Sequence, residues 1–454
     1  MRLRFLGATG TVTGSKYLLT PRSGRPVLID CGLFQGYKQL RLRNWEPFPG
    51  DPAAIDAVVL THAHLDHSGY LPLLVRNGFH GHIYCTPATA ELCALLLPDS
   101  AHLQEEEANF ANRHGYSKHR PALPLYTSED AQRALDRLHP VDYDRDIRLD
   151  ADLTCRFAPS GHLLGSALVS LRGPTGTLTF SGDLGRAHDL TMRPPARIAR
   201  ADYLIVESTY GDRQHEAEDP IEALGRWITC TAARGGVVLI PAFAVGRTQT
   251  VLYCIHRLKA QGRIPDLPVF LDSPMAIDAT EMFRRHAGEH RIGPAETEAM
   301  CRAVRYVTTP EESKALSALR VPMVLISASG MATGGRVLHH LKAFAPDHRN
   351  SILFTGYQAG GTRGASFLAG AATVKIHGDY VPVRAEVGLL PNLSAHADRG
   401  EIIEWLRGFD EPPRMTYITH GEPAAADALR LAIQEQLGWC VRVPEYQESA
   451  LLFT

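Results

Sequence analysis

Residues 57–67, AVVLTHAHLDH, restrict the fold more than any other stretch of the chain. Ala57–Leu60 is a short apolar run rich in β-branched residues, the pattern of a buried strand. Thr61 then opens a turn that carries His62, His64, Asp66 and His67. At this spacing the four cannot share one helical face. On a loop leaving a strand they can converge as two pairs that face two neighbouring points. Imidazole and carboxylate donors suit zinc, so two such pairs predict two metals. A polar surface loop with clustered histidines is the plainer alternative. A lone HxH would favour it, whereas four ligand-type residues directly after a buried strand do not.

The flanking sequence fits a sheet-based domain. Strands are expected at 2–6, 16–20 and 26–30, the third ending at Asp30, which by itself reads as a turn former before Cys31-Gly32. A short helix over 68–76, a strand at 82–86 and a helix from 88 to about 114 follow, with Glu105, Glu106 and Glu107 on a solvated face. Three further strands are expected at 153–157, 167–171 and 177–181. The stretch PSGHLLGSA between the first two puts His162 on a glycine-flanked loop, and FSGDLGR puts Asp183 at a strand end. Each residue is a weak signal alone. Together they supply a third nitrogen for one metal and a carboxylate able to bridge both. The next strand ends at Glu207.

From about 209 to 385 the pattern changes to alternating helices and apolar strands, an α/β unit with a largely parallel sheet. Its strands end in glycine-rich turns, PAFAVGR (241–247), SASGMATGGR (327–336) and TGYQAGGTRG (355–364). Glycines and hydroxyls before a helix expose backbone N–H groups and the positive dipole end, an arrangement that binds phosphate. Ser327, Ser329 and Gly330 fit that use, and Arg247, Arg336 and Arg363 would add charge. Any one such turn reads equally well as a strand terminator; three in one domain favour phosphate. After a strand at 384–389, His396 sits on a loop before a helix at 398–407. After a strand at 414–418, His420 sits on a loop before a helix at 421–437, and 448–453 is a last strand. His396 and His420 thus share the address of the first ligands, the C-terminal end of a strand. Residues 1–208 and 386–454 therefore read as one discontinuous domain, with 209–385 inserted.

Composition narrows the class. With 44% apolar and 21% charged residues the chain is a soluble globular type. Its net charge of −2 provides no general basic field, so nucleic-acid binding would need a local groove. The eight cysteines contain no CxxC pair and read as small buried residues in a reducing compartment. No apolar run approaches the roughly 20 residues of a membrane span, and the first residues lack the apolar core of a signal peptide. A cytoplasmic protein with no membrane partner is expected.

Taken in order, these motifs resemble the metallo-β-lactamase superfamily and, within it, the β-CASP nucleases. That group includes the nuclease subunit of the cleavage and polyadenylation specificity factor and its bacterial relatives. The resemblance covers essentially the whole chain. It implies a four-layer αββα metallo-β-lactamase sandwich with an inserted α/β β-CASP domain capping the metal site. It implies two zinc ions per chain, one on His62, His64 and His162 and the other on Asp66, His67 and His420, with Asp183 bridging. Asp30 would hold a ligand histidine in its tautomer. Glu207, His396 and His420 match the motifs particular to the β-CASP group. A histidine at the last of these accompanies RNA-acting members, while DNA-acting members tend to have valine, so His420 implies RNA. The partner implied is single-stranded RNA threaded between the two domains.

The implied activity is zinc-dependent hydrolysis of RNA phosphodiester bonds by a hydroxide held between the metals, in RNA processing or decay. Endonucleolytic cleavage is expected, and 5′-to-3′ exonuclease action is left open. Asp183, His396 and Glu207 form the catalytic set, with His396 as the acid for the leaving 3′-oxygen and Glu207 keeping it protonated. A DNA nuclease, or a small-molecule ester or thioester hydrolase, would share the metal set. The latter has no use for a phosphate-binding insert, and His420 weighs against the former. A non-catalytic scaffold would be expected to have lost ligands, and here every position is filled.

Overall fold

The computed structural model describes residues 1–22, 24–115, 117–216 and 218–453. They form two compact units, one of residues 1–188, 194–214 and 396–454, the other of 189–193 and 215–395. The crossings expected after 208 and 385 lie a little before those of the compact units, after 214 and 395.

The first unit contains two seven-stranded sheets. One runs in the order Ser449–Leu451, Arg2–Phe5, Tyr17–Thr20, Val27–Ile29, Ala57–Val59, His82–Cys85 and Leu138–Pro140. The other runs Val441–Arg442, Met415–Thr419, Tyr203–Glu207, Gly176–Phe180, Ala167–Gly173, Thr154–Pro159 and Asp146–Arg148. Strand side chains alternate between faces. Leu3, Phe5, Val27 and Ile29 of one sheet therefore join Phe157, Val169, Phe180 and Ile205 of the other in a single core. The opposite face of the second sheet, Leu168, Leu204, Val206 and Ile418, is covered by Ile402, Ile403 and Leu406 of helix Arg399–Leu406 and Leu429 and Ile433 of helix Pro423–Leu437. On the first sheet, Leu28, Val58 and Ile83 point away from the shared core and are also buried. Helices Leu71–Arg76, Pro87–His114 and Ser128–Leu135 lie in the connections between the strands of this sheet. The last of these is absent from the sequence expectations, although Thr127 and Asp130 form a capping box at its start. Glu105, expected to be solvated, accepts hydrogen bonds from Ser128 N and Oγ.

The second unit is a six-stranded, wholly parallel sheet. Its order is Arg305–Tyr306, Val269–Leu271, Met323–Ser327, Val237–Pro241, Ser351–Phe354 and Glu386–Leu389. Both faces are apolar, as a parallel sheet between helix layers requires. Val238, Ile240, Val324 and Ile326 pack with helices Pro220–Ala233 and Arg247–Ala260, and Val237, Leu239, Met323 and Leu325 pack with helix Val337–Phe344. Periodicity predicts a helix over 333–345; residues 333–336 instead form a turn with Gly335 at φ +76. Strand Glu386–Leu389 pairs with Ser351–Phe354 and so lies in this sheet, which is why the chain leaves the unit only after 395. Among the described residues no helix is long and apolar enough to cross a membrane.

Candidate metal centre

Strand Ala57–Val59 delivers the ligand stretch to the C-terminal edge of the first sheet. Leu65–Ser68 closes into one helical turn rather than an open loop, with His64 at its N-terminus. The turn keeps Asp66 and His67 together and leaves His62 and His64 before it. Neighbouring backbone braces it: Ser15 N donates to Asp66 O, Cys31 N to His67 O and Leu33 N to Leu65 O. This close approach requires Gly32, because a Cβ there would sit 1.6 Å from Asp66 O. Gly185 plays the same part for the His162 loop, where a Cβ would lie 2.1 Å from the Gly161 carbonyl.

Two groups of donor atoms result. His62, His64, His162 and Asp183 form one, and Asp66, His67 and His420 the other. In the first, His64 Nδ1 lies 3.2 Å from His62 Nε2 and 3.3 Å from His162 Nε2. Asp183 Oδ2 is 3.4 Å from His62 Nε2 and 3.5 Å from His162 Nε2. In the second, His67 Nε2 is 3.2 Å from His420 Nε2, and His420 Nε2 is 3.4 Å from Asp66 Oδ2. Asp183 Oδ1 lies 3.2 Å from His67 Nε2, so one carboxylate offers an oxygen to each group. A tetrahedral zinc with bonds of about 2.0–2.1 Å spaces its ligand atoms about 3.3–3.4 Å apart. The donor sets fit that ion.

Hydrogen bonding fixes which nitrogen faces inward. Asp30 accepts from His67 Nδ1 at 2.8 Å and is itself held by Thr61 N (2.8 Å) and Thr61 Oγ1 (2.9 Å). Thr209 Oγ1 accepts from His420 Nδ1 at 3.0 Å. With both Nδ1 atoms committed as donors, the Nε2 atoms of His67 and His420 are the ones turned toward Asp66 and each other. Asp183 Oδ1 is buried and accepts no hydrogen bond among the described residues, as expected of an atom reserved for a metal.

Electrostatics agrees. Burial, reinforced by the neighbouring His67, pushes the His62 imidazole down to about 3. Burial likewise pushes His64 down to about 4 and His162 well below the histidine range. All three are therefore neutral, as ligands must be. His67 differs: Asp183 and Asp30 outweigh burial and pull it well above the usual value, so it must release a proton to act as a ligand. Asp183 stays ionised despite burial, because His420, His67 and His62 surround it.

His396 stands beside these groups rather than in them. Its Nδ1 is 3.0 and 3.1 Å from the two Glu207 oxygens, and its Nε2 is 3.9 Å from Asp183 Oδ2. Burial alone would lower it, but Glu207 and Asp183 raise it to about 9. Glu207, at a strand end, is aimed by the Leu184 N–H (2.6 Å) and the Thr209 N–H (3.2 Å).

The first unit therefore gathers Asp30, His62, His64, Asp66, His67, His162, Asp183, Glu207, His396 and His420. The orienting hydroxyls of Thr61 and Thr209 are not among the residues the sequence marks out. Each is a hydroxyl residue next to a ligand or one strand-end position away, and that adjacency is the available signal. Arg247, Ser327, Ser329, Gly330, Arg336 and Arg363 lie in the second unit. There Arg336 donates to Asp272 Oδ1 (2.7 Å) and to the carbonyls of Val307 and Thr308. Arg363 donates to the carbonyls of Lys375, Ala332 and Thr333. Ser327 Oγ donates to Asp272 O, Ser329 Oγ pairs with Thr333 Oγ1, and Gly330 admits the Phe243 ring.

The sequence matches three family models: the metallo-beta-lactamase superfamily over residues 10–212, the Beta-Casp domain over 248–367, and a Zn-dependent metallo-hydrolase RNA specificity domain over 380–444. It is 39% identical to a protein of Thermus thermophilus named Ribonuclease TTHA0252, over 93% of both chains. It is 30% identical to Transcription termination factor FttA of Methanosarcina mazei, over 96% of this chain and 69% of that one. A crystal structure of a protein of unknown function from Enterococcus faecalis shares the fold, with a TM-score of 0.55 at 14% identity over 99% of both chains. The chain belongs to the metallo-β-lactamase superfamily, in its β-CASP branch, and is built as a metal-dependent hydrolase.

Proposed function

We propose that the protein is a zinc-dependent ribonuclease that cuts phosphodiester bonds in single-stranded RNA. The observation that carries this reading is the pair of donor groups sharing Asp183, with a protonatable histidine at their edge. One zinc would be held by His62, His64 and His162 and a second by Asp66, His67 and His420, with Asp183 common to both. Bound zinc supplies Lewis-acid stabilisation of charge on a phosphodiester and brings the pKa of water near 7. Asp30, Thr61 and Thr209 keep the Nε2 atoms of His67 and His420 directed at the ions. His396, kept protonated by Glu207, delivers its Nε2 proton to the leaving 3′-oxygen, giving 5′-phosphate and 3′-hydroxyl ends.

The relatives' names favour RNA as the substrate, as does the RNA specificity domain matched over 380–444. We take the unit that ends with residues 396–454 as the metallo-β-lactamase domain and the unit that runs from 215 to 395, ten residues further than the sequence expectation of 385, as the β-CASP insert, with single-stranded RNA passing between them in the cytoplasm. In the insert, the backbone N–H groups of the three glycine-rich turns and Arg247 would hold its phosphates. The test is purified protein analysed for metal, with end-labelled single-stranded RNA and DNA cleaved side by side. Two zinc ions and cleavage of RNA are expected. Cleavage of DNA alone, or of thioesters but neither nucleic acid, would overturn the reading.

A further inference from the structure

Segment 36–46 of the first unit leaves two large aromatic side chains in solvent, Tyr37 at 54% exposure and Trp45 at 57%, with Leu42 between them at 51%. Gly36, at φ +79, turns the chain outward into helix Lys38–Leu42 and the tight turn Arg43–Trp45. The segment is firmly mounted. Buried Asn44 accepts from Phe34 N at 2.9 Å through Oδ1 and donates to Phe34 O at 2.8 Å through Nδ2. The Arg43 guanidinium lies 4.2 Å from the Tyr446 ring centre and 5.4 Å from that of Phe34.

Its charge is one-sided. From Gly36 to Glu46 the chain carries Lys38, Arg41 and Arg43 against a single carboxylate, Glu46 at its end. Lys38 and Arg41 are exposed, and neither forms an ion pair among the described residues. Helical i,i+4 spacing sets Tyr37 beside Arg41 and Lys38 beside Leu42. The exposed Phe110, by contrast, shares its helix with Glu105, Glu106 and Glu107. The mount is also close to the metal loop. Leu33 N is bonded to Leu65 O, next to Asp66, and the four residues from Leu33 to Tyr37 span at most about 14 Å.

We infer that this face is a stacking platform for single-stranded RNA, taking bases on Trp45 and Tyr37 and phosphates on Lys38 and Arg41. Fixed aromatic rings among unpaired cations accept any base by its π-face and the backbone by charge. An acidic protein partner would match the charge but would not call for two fixed exposed rings. The inference rests on the ribonuclease reading and deepens it.

The test uses the full-length zinc-loaded protein and a 20-nucleotide single-stranded RNA. Trp45→Ala should lower kcat/KM about 10-fold, the scale of one missing base stack, while Trp45→Phe stays within about 2-fold of wild type. Lys38→Ala with Arg41→Ala should flatten the salt dependence of RNA binding by about 1.4 in log–log slope, about 0.7 for each phosphate no longer neutralised. Wild-type kinetics in Trp45→Ala, or an unchanged slope in the double variant, would overturn the platform while leaving the ribonuclease reading intact. So would a change in the sedimentation of Trp45→Ala protein alone, which would make the face a self-association surface. Failure of the wild-type protein to cleave any RNA would overturn the ribonuclease reading, and the platform with it.

Discussion

The metal-binding loops of the first unit and the glycine-rich turns of the second sit at the same kind of address, the C-terminal ends of strands. They differ in what the fold leaves over. Around Asp183 the chain commits one nitrogen each of His67 and His420 to Asp30 and Thr209, and the other nitrogen is left facing inward. In the second unit the guanidinium groups of Arg336 and Arg363 are taken up by Asp272 and backbone carbonyls. A side chain of the right type near a strand end is therefore only a candidate. It becomes a ligand when local hydrogen bonds aim it and do not exhaust it.

The sharpest way to break this contrast is Asp183→Asn. One carboxylate serves both donor groups, so the variant should lose both ions and essentially all hydrolysis, measured by elemental analysis and initial rates. Full zinc content in the variant would mean that the groups are independent. Next in size is His396→Ala, which should keep both ions yet cleave RNA about 10²–10⁴-fold more slowly. The loss should shrink on a nitrophenyl phosphodiester, whose leaving oxygen needs no proton. The acid works protonated, and its environment raises it to about 9, so kcat should fall as pH climbs through that value. Glu207→Gln removes the charge that raises it, so the falling limb should move to lower pH.

Asp30→Asn leaves every ligand in place but weakens the acceptor that orients His67. Zinc affinity should drop about 10–100-fold in a chelator competition, the usual scale for a carboxylate behind a metal histidine. An unchanged affinity would show that the carboxylate is not needed to orient His67. The smallest effects test the other side of the comparison. Arg336→Ala should lower Tm while leaving the salt slope of RNA binding alone, because its partners are internal. Arg247, buried near Gly356, belongs to the phosphate set proposed above, so Arg247→Ala should flatten the slope by about 0.7. If the two variants exchange behaviour, the second unit binds phosphate through Arg336 after all.

Much of the first unit is legible in the sequence because its signals are local. An apolar strand followed at once by His62, His64, Asp66 and His67 needs no tertiary knowledge to read as a metal loop, and unbroken apolar runs mark the inner strands of the parallel sheet, which are covered on both faces. The helix Ser128–Leu135 escapes such a reading because it is short and half exposed, with only a capping box to announce it. The strand Glu386–Leu389 is visible as a strand, but its sheet is not, since strand partners are chosen by surfaces far away in sequence.

Residue type and spacing along the chain determined which atoms this protein can offer to a metal, and in what order they arrive. Only the tertiary structure decided their use. Asp30, readable as a mere turn former, is an orienting carboxylate because residue 67 folds back onto it. Arg336, readable as a phosphate ligand, is internal because Asp272 lies 64 positions earlier in the chain and 2.7 Å away in space. The reason is physical: a strand-end side chain is placed by local backbone geometry, but whether its hydrogen-bonding capacity is used up or spare depends on partners brought in by packing.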